Sequence, residues 1–273
     1  MVIYNPEHKK KQIMRKGRKM MKTKIITIMS AAVILCFTGS EIYAVPIDKI
    51  FTSDGVIIEG DEYANVYIYD TPPDRTTVNM SGGSAYNILT YDYSRLNVNG
   101  GTSEVYARNE STVNIGDGVV YTLDSYDFSM VNIFGGQTYH VTAYNTGTVN
   151  VLDNATLGTL FAHNFGVVNM SGGKTSRIGA AEFSTVNLSG GLVTDDLAAG
   201  DSGIINVYGY DLNKESIGGK YNYGFVSGYW KDSTPFNISL NSPDTYSRVM
   251  LIPEPSTLLL FLISVPFLRR FIR

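Results

Sequence analysis

Thr77-Val78-Asn79-Met80-Ser81-Gly82-Gly83 returns more than a hundred residues later as Thr185-Val186-Asn187-Leu188-Ser189-Gly190-Gly191. Between and beyond these copies the same aliphatic-Asn-apolar tripeptide recurs, centred on Asn79, Asn97, Asn114, Asn132, Asn150, Asn169, Asn187 and Asn206. The steps from one asparagine to the next are 18, 17, 18, 18, 19, 18 and 19 residues. A period this regular over eight copies marks a chain built of stacked structural repeats.

Each copy has the same internal grammar. A glycine turn follows the tripeptide, as in Gly82-Gly83, Gly100-Gly101, Gly135-Gly136 and Gly172-Gly173, and glycine admits the positive φ of a sharp turn. A second short apolar segment comes next, such as Val105-Tyr106-Ala107 or Leu160-Phe161-Ala162, then a polar corner such as Asp92-Tyr93-Ser94 or Asn164-Phe165-Gly166. Asn, Asp, Ser and Gly favour such corners through local side-chain hydrogen bonds and tolerance of left-handed backbone.

Alternation along a strand puts Val78 and Met80 on one face and Asn79 on the other, in every copy. Stacked about 4.8 Å apart, such coils would form inward aliphatic columns and an outward asparagine ladder, in a rod roughly 35 Å long. No apolar stretch of the middle keeps a 3.6-residue period, which excludes a helical reading. The left-handed hexapeptide helix also uses 18 residues per coil but needs an aliphatic residue every six, and here two segments are separated by unequal turns. The expectation is therefore an all-β fold: a single-stranded, parallel, right-handed β-solenoid of about eight 18-residue coils with β caps, plus terminal signal helices. The repeats resemble the passenger-domain repeats of autotransporter adhesins over about half of the chain.

The organisation expected along the chain has five parts. Residues 1–44 read as an N-terminal extension and signal peptide, 45–74 as a starting cap with a strand pair including Val66-Tyr67-Ile68-Tyr69, and 75–207 as the repeats. Residues 208–251 read as a β cap around Trp230 and Pro235-Phe236-Asn237-Ile238 followed by a linker from Asn241, and 252–273 as a sorting signal. In the first part, Lys22 and Lys24 precede the apolar stretch Ile25 to Phe37 and a small-residue end at Ala44, the order of a secretory signal peptide. Met20 and Met21 offer further starts within it. Cys36, the single cysteine, lies in that apolar core, so an exported chain would keep no disulfide or thiol site.

At the other end, Pro253-Glu254-Pro255 precedes the apolar run Leu258 to Leu268 and the basic cluster Arg269, Arg270 and Arg273. Eleven apolar residues make about 16 Å of helix, short of the roughly 30 Å hydrocarbon core, and the arginines would act as a cytoplasmic stop. These three ordered parts resemble the PEP-CTERM sorting tail of diderm bacteria. That resemblance implies recognition by a membrane-embedded exosortase-type processing enzyme, export through the inner membrane, transient anchoring at the C-terminus, and delivery to the cell surface or the extracellular polysaccharide matrix. The two prolines around Glu254 keep the preceding backbone extended and cannot continue a helix, so the motif is expected to stand clear of the membrane.

Charge narrows the function classes. Of the 22 basic residues, nine lie in 1–44 and three after Thr257, and of the 25 acidic ones only Glu7 and Glu41 fall in these ends. Residues 45–257 therefore carry ten basic against 23 acidic residues, a net charge of −13. Nucleic acid is excluded as an electrostatic partner, since it needs a basic face.

Catalytic equipment is sparse. Between Asn79 and Asn206 the cations are Arg95, Arg108, Lys174 and Arg177, and the only adjacent carboxylates are Asp195-Asp196, whereas polysaccharide lyases and hydrolases on β-helices need clustered carboxylates and bases. His140 and His163 lie one coil apart at different repeat positions, and the corner series Asp92, Glu110, Asp127, Asn145, Asn164, Glu182, Asp201 lacks the regular aspartates of a calcium roll. The expectation is no metal and no cofactor. Tyr91, Tyr126 and Tyr144, each twelve residues after their asparagine, would pack coil on coil rather than present a sugar-stacking stripe. The sequons at Asn79, Asn169, Asn187 and Asn237 follow from ladder and turn requirements. The function expected is a non-enzymatic, exported structural or adhesive repeat protein of the envelope or polysaccharide matrix. The alternatives are a β-helix polysaccharide lyase or hydrolase, discriminated by Asp195 and Asp196, and a glycan-binding module.

Overall fold

The computed structural model describes residues 45–254. The expected signal peptide in 1–44, the apolar run Leu258 to Leu268, and Pro255, Arg269, Arg270 and Arg273 lie outside the described residues. The described chain is an all-β parallel solenoid of about nine turns with coils of about 18 residues.

Each coil contributes a strand to two faces. The first face holds β2 (Gly55–Ile57), β4 (Thr77–Met80), the opening halves of β6 (Arg95–Ala107) and β7 (Thr112–Ser125), then β8 (Met130–Ile133), β10 (Thr148–Val151), β12 (Val167–Met170), β14 (Thr185–Leu188) and β16 (Ile204–Glu215). The second holds β1 (Ile47–Phe51), β3 (Glu62–Ile68), β5 (Ser84–Thr90), the closing halves of β6 and β7, then β9 (Gln137–Ala143), β11 (Thr156–Ala162), β13 (Lys174–Ala180) and β15 (Leu192–Ala199). Pairing from coil to coil is parallel, and Val149 sits between Val131 and Val168 as Asn150 sits between Asn132 and Asn169.

The core is the stack of inward columns. Val78, Leu96, Val113, Val131, Val149, Val168, Val186 and Ile205 form one, Met80, Val98, Ile115, Ile133, Val151, Met170, Leu188 and Val207 a second, and none of these is more than 1% exposed. From the second face come Ile88, Val105, Leu123, Val141, Leu160, Ile178 and Leu197, all fully buried. Removing a side chain of this size from water contributes about 1.5–3 kcal/mol, and no coil can do so without its neighbours.

The polar corner is a structural column of its own. Asp92, Asn109, Asp127, Asn145, Asn164, Glu182 and Asp201 all adopt left-handed backbone, with φ between 53° and 60°. The corner series read from sequence therefore needs one correction. Asn109, not Glu110, occupies the position, because the coil from Asn97 to Asn114 is one residue short and shifts its corner back. Asn109 Nδ2 donates to Asp92 Oδ1 at 3.0 Å, and Asn164 Nδ2 to Asn145 Oδ1 at 3.1 Å, so the corners form a second ladder.

Both flanks continue the solenoid. Residues 45–74 hold the expected strand pair, β1 parallel to β3 (Phe51↔Ile68), and it is continuous with the repeats: β2 runs parallel to β4 (Ile57↔Met80), giving a further coil in register. It escapes the repeat pattern because Val56 takes the asparagine position and the excursion through Tyr69–Thr76 lengthens the step. At the other end, the expected β cap is a hairpin of β17 (Phe225–Tyr229) and β18 (Pro235–Leu240), with Leu240 laid against Leu197. Trp230, 3% exposed, stacks on Phe236 and donates its indole N–H to Gly191 O at 3.0 Å.

The segment from Asn241 is not a linker. It forms α1 (Pro243–Arg248) and β19 (Val249–Pro253), which extends the first face by pairing Ile205↔Val249 through Gly209↔Pro253. Ser242 caps α1, with Pro243 at its first turn. The buried Thr245 hydroxyl accepts from Ala199 N–H at 2.9 Å.

Candidate functional site

The Pro253-Glu254-Pro255 segment begins inside the fold. Pro253 is the last residue of β19, opposite Gly209, and Glu254 N–H donates to Gly209 O at 2.8 Å. Proline lacks the donor a central strand needs, and β19 is a terminal strand, where that loss is harmless. The segment's first two residues are extended, as expected of the proline-flanked motif, and docked against β16. Lys214 reinforces the docking: its Nζ donates to Tyr246 O at 2.9 Å and Val249 O at 2.7 Å, and burial pulls its ammonium below the ordinary lysine range. Glu254 also lines a groove of ≈ 600 Å³ beside Gly172, Gly190, Trp230 and Asp232.

The asparagines meet as expected. From Asn97→Asn79 to Asn206→Asn187, each Nδ2 donates to the Oδ1 of the preceding coil's asparagine at 2.8 or 2.9 Å. Val56 and Met250 occupy the same column at its two ends. The amides satisfy each other in one continuous line, so the ladder is a register device rather than a reactive centre.

The aromatics stack along the rod. Tyr91 packs on Tyr69 at 4.9 Å, Tyr126 on Tyr144 at 5.0 Å, and Tyr144 on His163 at 5.5 Å. Arg108 takes the tyrosine position in the shortened coil, its guanidinium 4.9 Å from the Tyr126 centroid. Beside this column Tyr106 donates to Glu104 at 2.7 Å and Tyr126 to Asp124 at 3.1 Å. Burial and then the Glu104 hydrogen bond push the Tyr106 phenol to about 12. Burial and then the Asp124 charge do the same to Tyr126. The Asp124 carboxyl is raised by burial.

Asp195 and Asp196 sit at a bulge where β15 has one residue more than β13 between Thr175↔Val193 and Arg177↔Asp196. Asp196, with a fully buried side chain, takes a forked contact from Arg177, Nε to Oδ1 at 3.0 Å and Nη2 to Oδ2 at 2.9 Å. Hydrogen bonding to Asp196 holds the guanidinium above its ordinary value. Asp195 is bound by Lys220 and by Tyr221 at 3.1 Å, and the Lys220 hydrogen bond holds it below the usual carboxylate range. An ion-paired carboxylate held below its ordinary range, as Asp195 is, makes a poor general acid.

Among the described residues no group of three or more His, Cys, Asp or Glu is placed to hold a metal ion. His140 Nδ1 lies 3.1 Å from Thr159 Oγ1, in a different column from His163. Lys174 is exposed at the coil edge. No helix among the described residues is long and apolar enough to cross a membrane.

Lys220 and Tyr221 were not foreseeable as Asp195 partners, since they reach it from beyond the repeats. The bulge itself had a signal, the 19-residue step from Asn187 to Asn206. Compared with protein-family models, curated proteins and solved structures, the chain gave no match in any of the three.

Proposed function

We propose that this chain is an exported, surface-sorted structural or adhesive repeat protein of the cell envelope or extracellular polysaccharide matrix, and not an enzyme. What carries the reading is the union of two features: a rod whose polar groups are largely consumed in ladders and ion pairs, and a Pro253-Glu254-Pro255 motif, followed by an apolar and basic tail, that starts from the rod's last strand. The tail's resemblance to PEP-CTERM signals supports an exosortase-type enzyme as processing partner and a transient membrane stage. Asp195 and Asp196 support the non-enzymatic reading, because each is already neutralised by a cation of the fold.

The test is fractionation of a diderm host that carries an exosortase-type enzyme, with intact-mass measurement of the recovered chain. The expected result is protein outside the inner membrane lacking residues near 1–44 and part of 255–273. A chain with Pro253, Glu254 and Pro255 all changed to Ala should stay membrane-bound at full C-terminal length. Recovery of the unprocessed parent chain from the cytoplasm would overturn the proposal.

A further inference from the structure

The single 17-residue coil leaves a slot on the second face. Between Ser84↔Thr102 and Asn87↔Glu104, β5 supplies Ala85 and Tyr86 where β6 supplies only Ser103. Between Ser103↔Val120 and Val105↔Leu123, β7 supplies Tyr121 and Thr122 where β6 supplies only Glu104. Tyr86 and Tyr121 therefore flank a coil that has no residue at their position. Two coil spacings put them about 9.6 Å apart along the rod.

Tyr86 and Tyr121 both line this gap. Tyr139 stacks on one side of Tyr121 at 5.6 Å and 8°, which leaves the opposite face of Tyr121 turned toward β6. Tyr86 stacks on no other ring among the described residues and is 71% exposed, while Tyr121 is 50% exposed. A groove of ≈ 260 Å³ joins them, lined also by Glu62, Glu104, Ser84 and Thr102. At its floor Ser103, 2% exposed, has a buried Oγ with no hydrogen-bond partner.

Each part of this lining selects chemistry. Two tyrosines bordering a gap about two coil spacings wide suit a ring with flat apolar sides. Carboxylates and hydroxyls at the edge suit a ring rimmed with O–H donors. A volume below the roughly 300–1,000 Å³ of drug-sized pockets suits one ring rather than several. Glu62 and Glu104 without a lining cation disfavour an anionic guest. We infer that this slot binds one neutral pyranose residue of a polysaccharide, sandwiched between Tyr86 and Tyr121.

The site deepens the matrix reading and rests on it for the expectation that polysaccharide is the neighbour. Its test does not depend on localisation, so either can fail alone. The full chain is titrated calorimetrically with hexasaccharides of neutral glucose, mannose and galactose polymers, with a hexamer of galacturonic acid, and with hexalysine. Saturable binding of at least one neutral hexasaccharide is expected, weakened about tenfold or more by Tyr86→Ala and by Tyr121→Ala. Tyr86→Trp should retain it, and Tyr126→Ala, in the separate stacked column, should leave it unchanged. If Tyr121→Ala disturbs Tyr139, shown by a lowered unfolding midpoint, the Tyr86 variants decide. No binding of any neutral hexasaccharide, binding indifferent to the Tyr86 variants, or tighter binding of the acidic hexamer or of hexalysine would overturn the inference.

Discussion

The two faces of the rod carry the same number of coils and obey different rules. On the first face the aliphatic-Asn-apolar pairings from β4 to β16 hold one register, the β6–β7 ladder shifting only after Val98↔Ile115 as it enters the turn, although the coils differ in length. On the second face the ladder shifts at Ser84/Asn87, Ser103/Val105 and Thr175/Arg177. The extra residue of the coil after Asn150 goes into the turn Leu152–Ala155, where Asp153, at φ 45°, replaces the glycine pair. An amide ladder tolerates no slip, because one residue of shift would turn every asparagine inward. Length variation is therefore displaced to the turns and the second face, where the groove and the Arg177–Asp196 pair also lie.

The largest test of this difference is a pair of insertions. One alanine between Asn132 and Ile133 should abolish cooperative folding, whereas the same alanine between Gly135 and Gly136 should cost on the order of 1 kcal/mol, as a small change in a turn does. Denaturant midpoints would compare them, and equal effects would break the contrast.

Next in size, Asn150→Ala removes two amide–amide bonds and should destabilise by about 1–3 kcal/mol at roughly 0.5–1.5 kcal/mol per bond. Thr159→Ala, in an outward column of the second face, should cost less in the same assay.

The third test is alkaline titration. Tyr106 and Tyr126, held protonated to about 12 in the fold against 10.0 for a free phenol, make the folded state bind more protons than the unfolded one in that window. Their contribution is complete below pH 10 and is lost as pH rises toward 12. Tyrosinate absorbance should lag in the folded chain, and Tyr106→Phe with Tyr126→Phe should flatten the alkaline loss of stability.

The smallest effect belongs to Lys220→Ala. Its ammonium is more than half exposed, and an exposed ion pair contributes little. The unfolding midpoint should not move measurably, and a clear drop would mean that the second-face bulge depends on it.

The repeats were legible because the asparagine column faces outward and is indispensable, so every coil between Asn79 and Asn206 had to write it. The outer coils were not, because Val56 and Met250 end the column with apolar side chains and their pairing depends on contacts distant in sequence. Glu110 was mistaken for a corner residue by counting eighteen through a coil that has seventeen. That same irregular count marked the groove, and the 19-residue steps marked the extra turn residue and the acidic bulge. What sequence spacing does not encode is which side chains beyond the repeats, such as Lys220 and Trp230, return to cover them.

The docked C-terminal strand sets how the rod would answer a pull. Strands here lie across the rod and their hydrogen bonds run along it, so tension applied along the axis at Glu254 meets the Glu254–Gly209 bond first. The bonds of β19 would then open one after another like a zipper, never sharing the load. A molecule tethered through Glu254 would therefore yield by peeling β19 from β16 before its inner coils parted.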